Sequence, residues 1–256
     1  MDFQVADVTL PDSLKGAPVL TELKDMRGSE REVIEGEGAG GLRYKAIRQE
    51  ALRLGAQTGL AYRYSMIMEY MQKKEPQLNV AFNFSGFVKD GRLLIPAIQE
   101  TKNNFALDAE KGEATITRLK YTVDEEAKIV SVVPTWRDYL WQQYAYPEKP
   151  HPSLRPRTKE EVEAWKESLD AGWLAGVSQA DGIYDDRIAA LERAVAGRHL
   201  YALLESKKAF TPAALKVVEN KVTFNGRTMN VGEVIYSIET PANYTQASEW
   251  KPVWTR

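Results

Sequence analysis

The side chains able to do chemistry are sparse and scattered. Only two histidines occur, His151 and His199. Neither lies in a cluster of carboxylates, so the spacing of a metal centre is missing and an ordinary surface or capping role is expected for both. Cysteine is absent, which removes thiol catalysis, disulfides and cysteine-based zinc sites. No nucleophile elbow, phosphate-binding Lys-Ser/Thr loop or zinc-protease helix appears. Adjacent acids at Glu160-Glu161 and Asp185-Asp186 could in principle work as a glycosidase pair, but that chemistry needs a through-space separation that sequence spacing does not fix. They read more simply as a match to a helix dipole and as a solvated face. No catalytic, cofactor-binding or metal-ligating residue is therefore assigned, and a non-enzyme is expected.

Three stretches could bind something. Gly36, Gly38, Gly40 and Gly41 resemble a phosphate-cradling loop, but only Val33-Ile34 stands where a buried strand should precede it, so a hinge is the expectation. The block Pro134, Trp136, Arg137, Asp138, Tyr139 continues to Tyr144. Aromatics there could stack on bases, yet base stacking needs a positive groove and Arg137 is the only cation before Lys149. A packed aromatic cluster is expected, on a short helix capped by Thr135. Trp250 and Trp254 end the chain and are candidates for docking on this chain or on a neighbour.

These groups must be positioned by two long helices. From Thr158 to about Gly197 apolar residues recur at helical spacing, from Val162, Trp165, Leu169 and Trp173 to Leu191 and Val195. Thr158 and Glu161 have the spacing of a capping box, and Gly197 is read as a left-handed stop. A second helix is expected from Leu42 to about Lys74. Both contain small residues four apart: Gly55 and Gly59 in one, Gly172, Gly176 and Ala180 in the other. A helix-interior glycine costs about 1 kcal/mol relative to alanine, so the repeated spacing predicts two ridges that let the helices meet closely.

Between and after the helices the pattern turns to strands. Alternation predicts a strand over 78–88, with Asp90-Gly91 as a turn and Pro96 as a break. Short strands are expected at 105–107, 114–121 and 129–133. A proline-rich connector runs through Pro147, Pro150, Pro152 and Pro156. Residues 215–222 and 228–238 read as a hairpin, with Gly232 as a possible bulge. The fold class is α+β, with long helices packed on a mainly antiparallel sheet and an extended N-terminal arm. The expected division is a flexible arm or tether over 1–41, a single domain over 42–240 and a tail over 241–256.

At 256 residues with 43% hydrophobic side chains, the chain can bury a sizeable core. A formal net charge of -2 offers no basic excess to displace phosphate counterions, so direct nucleic-acid binding is not expected. No stretch is long and apolar enough to span a bilayer. The opening residues lack the basic and apolar regions of a signal peptide.

Four blocks in order resemble the DotC family of Dot/Icm (type IVB) secretion systems. They are Ala46–Arg63, similar to its first helix, Pro134–Leu140, the proline-rich connector, and Trp165–Gln179; the likeness runs from about residue 42 to 240. IncI-like conjugation systems carry a counterpart named TraI. The resemblance implies a lipoprotein at the periplasmic face of the outer membrane, in a core complex with DotD-like and DotH-like subunits. It also implies an N-terminal lipid in the native form, although the lipid-accepting cysteine has no counterpart in this chain. The family brings no catalytic residues and no cofactor. The competing readings are a periplasmic protein that binds or processes peptidoglycan, for which a cleft with two perturbed carboxylates beside Trp136 or Trp141 would speak, and a cytoplasmic adaptor of the same machine.

Overall fold

The computed structural model describes residues 17–28, 41–108 and 113–250. Its elements are α1 (Pro18–Lys24), α2 (Leu42–Lys73), α3 (Glu75–Ala81), β1 (Val88–Lys89), β2 (Leu93–Leu94), β3 (Ala97–Asp108), β4 (Glu113–Glu125), β5 (Lys128–Ile129), α4 (Trp136–Leu140), α5 (Lys159–Ser206), β6 (Phe210–Thr211), β7 (Ala214–Asn225), β8 (Thr228–Thr240) and β9 (Asn243–Tyr244). All described strand pairs are antiparallel. The fold is α+β, as the periodicity predicts.

Where one domain was expected over 42–240, the chain divides into two compact units interleaved in sequence. One comprises the chain up to Leu78 together with Leu140–Ile188; the other comprises Asn79–Tyr139 and the chain from Ala189. Helix α5 belongs to both.

The helical unit is built on α2 and α5. Thr158 and Glu161 form the capping box that starts α5: Glu161 N–H donates to Thr158 Oγ1 at 3.2 Å, and Glu161 Oε2 accepts from the amides of Arg157 at 2.7 Å and Thr158 at 3.4 Å. Gly55 and Gly59 face the backbone of α5, and Gly172 and Gly176 face that of α2. A methyl group on Gly172 would lie 2.9 Å from Ala56 N, and one on Gly176 would lie 2.8 Å from Leu60 N. Both would sit closer still to the carbonyl oxygens of Leu52 and Ala56. Gly55 and Gly59 meet the carbonyls of Leu169 and Trp173 in the same way. Ala180, fully buried, extends the row. Glycine Cα on each helix against carbonyl oxygen on the other is the geometry of weak Cα–H···O contacts, which only a missing Cβ permits.

Contact partners rise together along both helices, so α2 and α5 run in the same direction. Two ion pairs bracket the contact at one offset: Arg43 Nε–Glu161 Oε1 at 3.0 Å and Arg63 Nε–Asp181 Oδ1 at 2.5 Å, each separated by 118 positions. At 1.5 Å per residue the helices stay in step for about 30 Å. Arg63 is 2% exposed, so its guanidinium relies on Asp181 for compensation.

The core beside this contact contains Ile47, Ala51 and Leu54 from α2 and Trp165, Leu169 and Trp173 from α5, closed by Leu20 and Leu23 of α1. Trp165 Nε1 donates to Leu23 O at 2.9 Å. The stretch 17–28 is thus part of the body rather than a free arm; the glycine loop at 36–40 lies outside the described residues. Arg43 also straps the proline-rich connector, donating to Ser153 O and, at 3.0 Å, to Arg155 O.

Three sequence expectations fail for identifiable reasons. The alternation over 78–88 is not a strand: Leu78 is buried in α3, Val80 of the same helix is 81% exposed, and Ser85–Phe87 is a 3-10 turn. Phe82 and Phe84 are both buried and stand two apart, which mimics period two, although Val80 before them is not buried. Gly197 does not stop α5, which continues to Ser206. Its bare backbone instead admits strand β3, with Ala97 Cβ and Ile98 N both 2.9 Å from where a methyl would stand. Gly232 is no bulge, for the β7–β8 register is unbroken around it and shifts instead at Ala214/Leu215.

Replacing Gly176 by leucine is expected to destabilise the protein by about 3 kcal/mol or more, because the added side chain meets backbone that cannot rotate away. Thermal melts check this; a midpoint within a degree or two of the parent's would contradict the close-contact geometry.

Candidate functional site

In the second unit, the block predicted as an aromatic cluster is the pillar. Trp136 is fully buried, and its Nε1 donates to Asn79 Oδ1 at 2.7 Å. The Arg137 guanidinium stacks 4.5 Å from the Trp136 ring. Asp138 accepts from Thr135 N at 2.6 Å and Thr135 Oγ1 at 3.2 Å, closing the start of α4. Tyr139 lies parallel to Phe84 at 5.6 Å. Pro134 leads into the helix and borders an open recess that also holds Asp138 and Tyr139. These residues are used in holding the unit together. Tyr144, expected on the same helix face, lies beyond the end of α4 and packs edge-on to Tyr64 in the helical unit at 5.1 Å.

Arg198 ties this pillar to the strands. It is fully buried; its Nη1 donates to Ala194 O at 2.8 Å and its Nη2 to Glu125 Oε2 at 2.7 Å. Its guanidinium also lies 5.5 Å from the Phe84 ring. Burial alone would raise the Glu125 carboxyl, but the hydrogen bonds and charges of Arg198 and Lys128 outweigh it and hold the group below its ordinary value. Sequence reasoning passed over Arg198, since a lone arginine in a helix carries no sign of its burial.

From this base two ribbons extend. Each is an isolated antiparallel pair, β3 with β4 and β7 with β8. Each has strands of 12 and 13 residues. Each also has one extra residue in its returning strand near the base, Asp124 in the first and Glu239 in the second, where the register shifts. Bulges at the root of a ribbon re-aim it. The β7–β8 turn uses Gly226 at φ +59, the positive value that a two-residue hairpin loop requires.

Their apolar residues face outward. In β7–β8 the cross-strand pairs Val222–Val231 and Phe224–Met229 share one face by alternation. Phe224 is 75% exposed and Val231 is 70% exposed. In β3–β4 the pair Phe105–Ile116 is exposed in the same way. Two-stranded ribbons with open edges and bare apolar pairs are suited to receiving another chain's strand or surface.

The remaining candidates fall elsewhere. His151 caps a 3-10 turn in the connector, its Nδ1 accepting from Ser153 N at 3.2 Å. His199 packs edge-on to Phe87 in the other unit, at 4.8 Å. Asp185 and Asp186 are exposed, whereas Glu161 is buried against Arg43. Trp250 is docked through a hydrogen bond of 3.1 Å from its Nε1 to Thr245 O, and Trp254 lies outside the described residues. The start of the expected tail is held too, with β9 paired to β6 through Phe210 and Tyr244. Among the described residues no group of His, Asp and Glu gathers into a metal site, and no helix is long and apolar enough to cross a membrane.

Residues 41–252 match the model of a TraI family described as type IV secretory system, conjugal DNA-protein transfer. The chain belongs to this TraI family. The match begins one residue before α2 and runs past Trp250, so the glycine ridges, the Trp136 pillar and the ribbons all lie within the TraI-family region. A search of curated proteins finds no match.

Removing the Glu125 charge tests the base of the ribbons. Glu125→Gln leaves the buried Arg198 guanidinium without its anionic partner and is expected to cost about 3 kcal/mol at neutral pH. Because the folded carboxyl is held low, its contribution is present above the ordinary carboxylate value and is lost as pH falls through the lowered one. Denaturant titrations of parent and variant should therefore converge in acid; a gap unchanged between neutral and acidic pH would contradict this.

Proposed function

We propose that this TraI-family protein is a DotC-like structural component of a type IVB secretion or conjugation core complex. In this reading it is a lipoprotein scaffold, without catalytic activity, at the periplasmic face of the outer membrane, where it helps assemble DotH-like and DotD-like subunits. The family membership supports a role in type IV secretion and conjugation. The observation that carries the scaffold reading is the pair of ribbons with free edges and exposed apolar cross-strand pairs, rooted in a base fixed by buried aromatics and Arg198. Such arms offer backbone hydrogen bonds and apolar area to neighbouring subunits. Trp250 and Trp254 are further partner contacts in this reading. The N-terminal lipid would anchor the native form. In this reading the subunit makes no direct contact with nucleic acid.

Two measurements test it. Phe224→Asp with Val231→Asp alters only exposed side chains, so the melting temperature is expected to stay within a few degrees of the parent's while co-purification with DotH-like and DotD-like subunits falls at least tenfold. Retained co-purification would remove the ribbon from the proposal. Expressed with an export signal and an N-terminal cysteine, the protein should fractionate with the outer membrane in a way that depends on that cysteine. Equal partitioning of a Cys→Ser version would contradict the anchor.

A further inference from the structure

The segment following α4 forms one wall of a cleft that the scaffold role does not use. Trp141, Tyr144 and Tyr146 stand on this wall, and Ser65, Met68, Glu69 and Gln72 line the facing side of α2 at helical spacing. The cleft is open to solvent on one side and its volume is about 590 Å³, within the range of sites that hold a small ligand. The wall is braced from behind. Tyr64 is buried, donates through its hydroxyl to Leu140 O at 2.9 Å, and meets Tyr144 edge-on at 5.1 Å. A cleft already held in shape loses little freedom when it binds.

Its chemistry is specific. Among the described residues no lysine or arginine lines it, so none of them compensates an anionic ligand. A single carboxylate, Glu69, offers little to a multivalent cation. The remaining polar groups are the hydroxyls of Ser65, Tyr144 and Tyr146 and the amides of Gln72, Gln142 and Gln143, groups able both to donate and to accept, with the Gln142 amide oxygen accepting from the Tyr144 hydroxyl at 3.2 Å. Beside them stand aromatic rings, with Tyr146 46% exposed. Flat apolar faces next to neutral two-way hydrogen-bonding groups complement a molecule that is uncharged, rich in hydroxyls and apolar on its ring faces.

We propose that this cleft binds an uncharged oligosaccharide chain, the aromatic wall covering sugar ring faces and Glu69, Gln72 and Gln142 meeting its hydroxyl or amide groups. With one carboxylate and no second beside it among the described residues, the site is one of binding rather than hydrolysis. The proposal rests on the cleft alone: a variant blind to sugar that still joins its partners would leave the scaffold reading intact.

Titration calorimetry of the full chain with tetramers of β-1,4-linked N-acetylglucosamine, β-1,4-linked glucose and α-1,4-linked glucose tests it. At least one is expected to bind saturably with Kd of about 1 mM or tighter. Trp141→Ala and Tyr146→Ala should each weaken that binding at least tenfold, with unchanged circular dichroism, and Gln72→Ala should weaken it severalfold. If Trp141→Ala fails to fold, Tyr146→Ala, an exposed position, carries the test. No saturable binding of any tetramer, binding that both aromatic variants retain, or saturable binding only of a proline-rich decapeptide run in parallel would each overturn the proposal.

Discussion

The helical unit depends on the approach of α2 to α5. Helices normally keep their axes apart by the thickness of their side chains. Here four glycines remove that spacer reciprocally, so that carbonyls of each helix lie over bare backbone of the other. The helix-propensity cost of those glycines, about 1 kcal/mol each, is offset by contact that runs in step over several turns. The ion pairs Arg43–Glu161 and Arg63–Asp181 fix the direction and register. A shift by one residue would bring Cβ atoms against backbone and strand the buried Arg63.

Parallel helices cannot be joined by a tight turn. The chain between α2 and α5 must return to the start, and it uses that return to build much of the second unit and then the proline-rich connector. Helix α5 continues past the first unit and supplies Gly197 and Arg198 to the second, one giving room to β3 and the other holding Glu125.

Much of this was legible in the sequence, for stated physical reasons. Glycine spacing marked the helix contact because the cost of interior glycine shows without coordinates. Thr158 with Glu161 marked the start of α5, and Asp90-Gly91 marked a turn whose residues both take positive φ. What misled was local pattern without tertiary context. Val80, Phe82 and Phe84 alternate like a strand, but only the two rings are buried, while Val80 stands on the exposed side of α3. Gly197 looked like a terminus because sequence cannot distinguish a glycine that ends a helix from one that admits a neighbour. The ribbons were read in fragments, since a strand exposed on both faces lacks the alternation that burial imposes. The cleft beside Trp141 left no periodic trace, as half its wall follows no regular element.

The parallel, in-step arrangement of α2 and α5 is open to one direct measurement. The chain has no cysteine, so spin labels can be placed on cysteines at the exposed positions Arg48 and Lys166, and separately at Gln57 and Ala175, all exposed. Both pairs share the offset of the two ion pairs, 118 positions. The account predicts short and closely similar distance distributions for the two doubly labelled proteins. Distances that diverge strongly between the two pairs, as opposite running directions would make them by shifting the two axial offsets about 27 Å relative to each other, or long distances for both pairs, would contradict it.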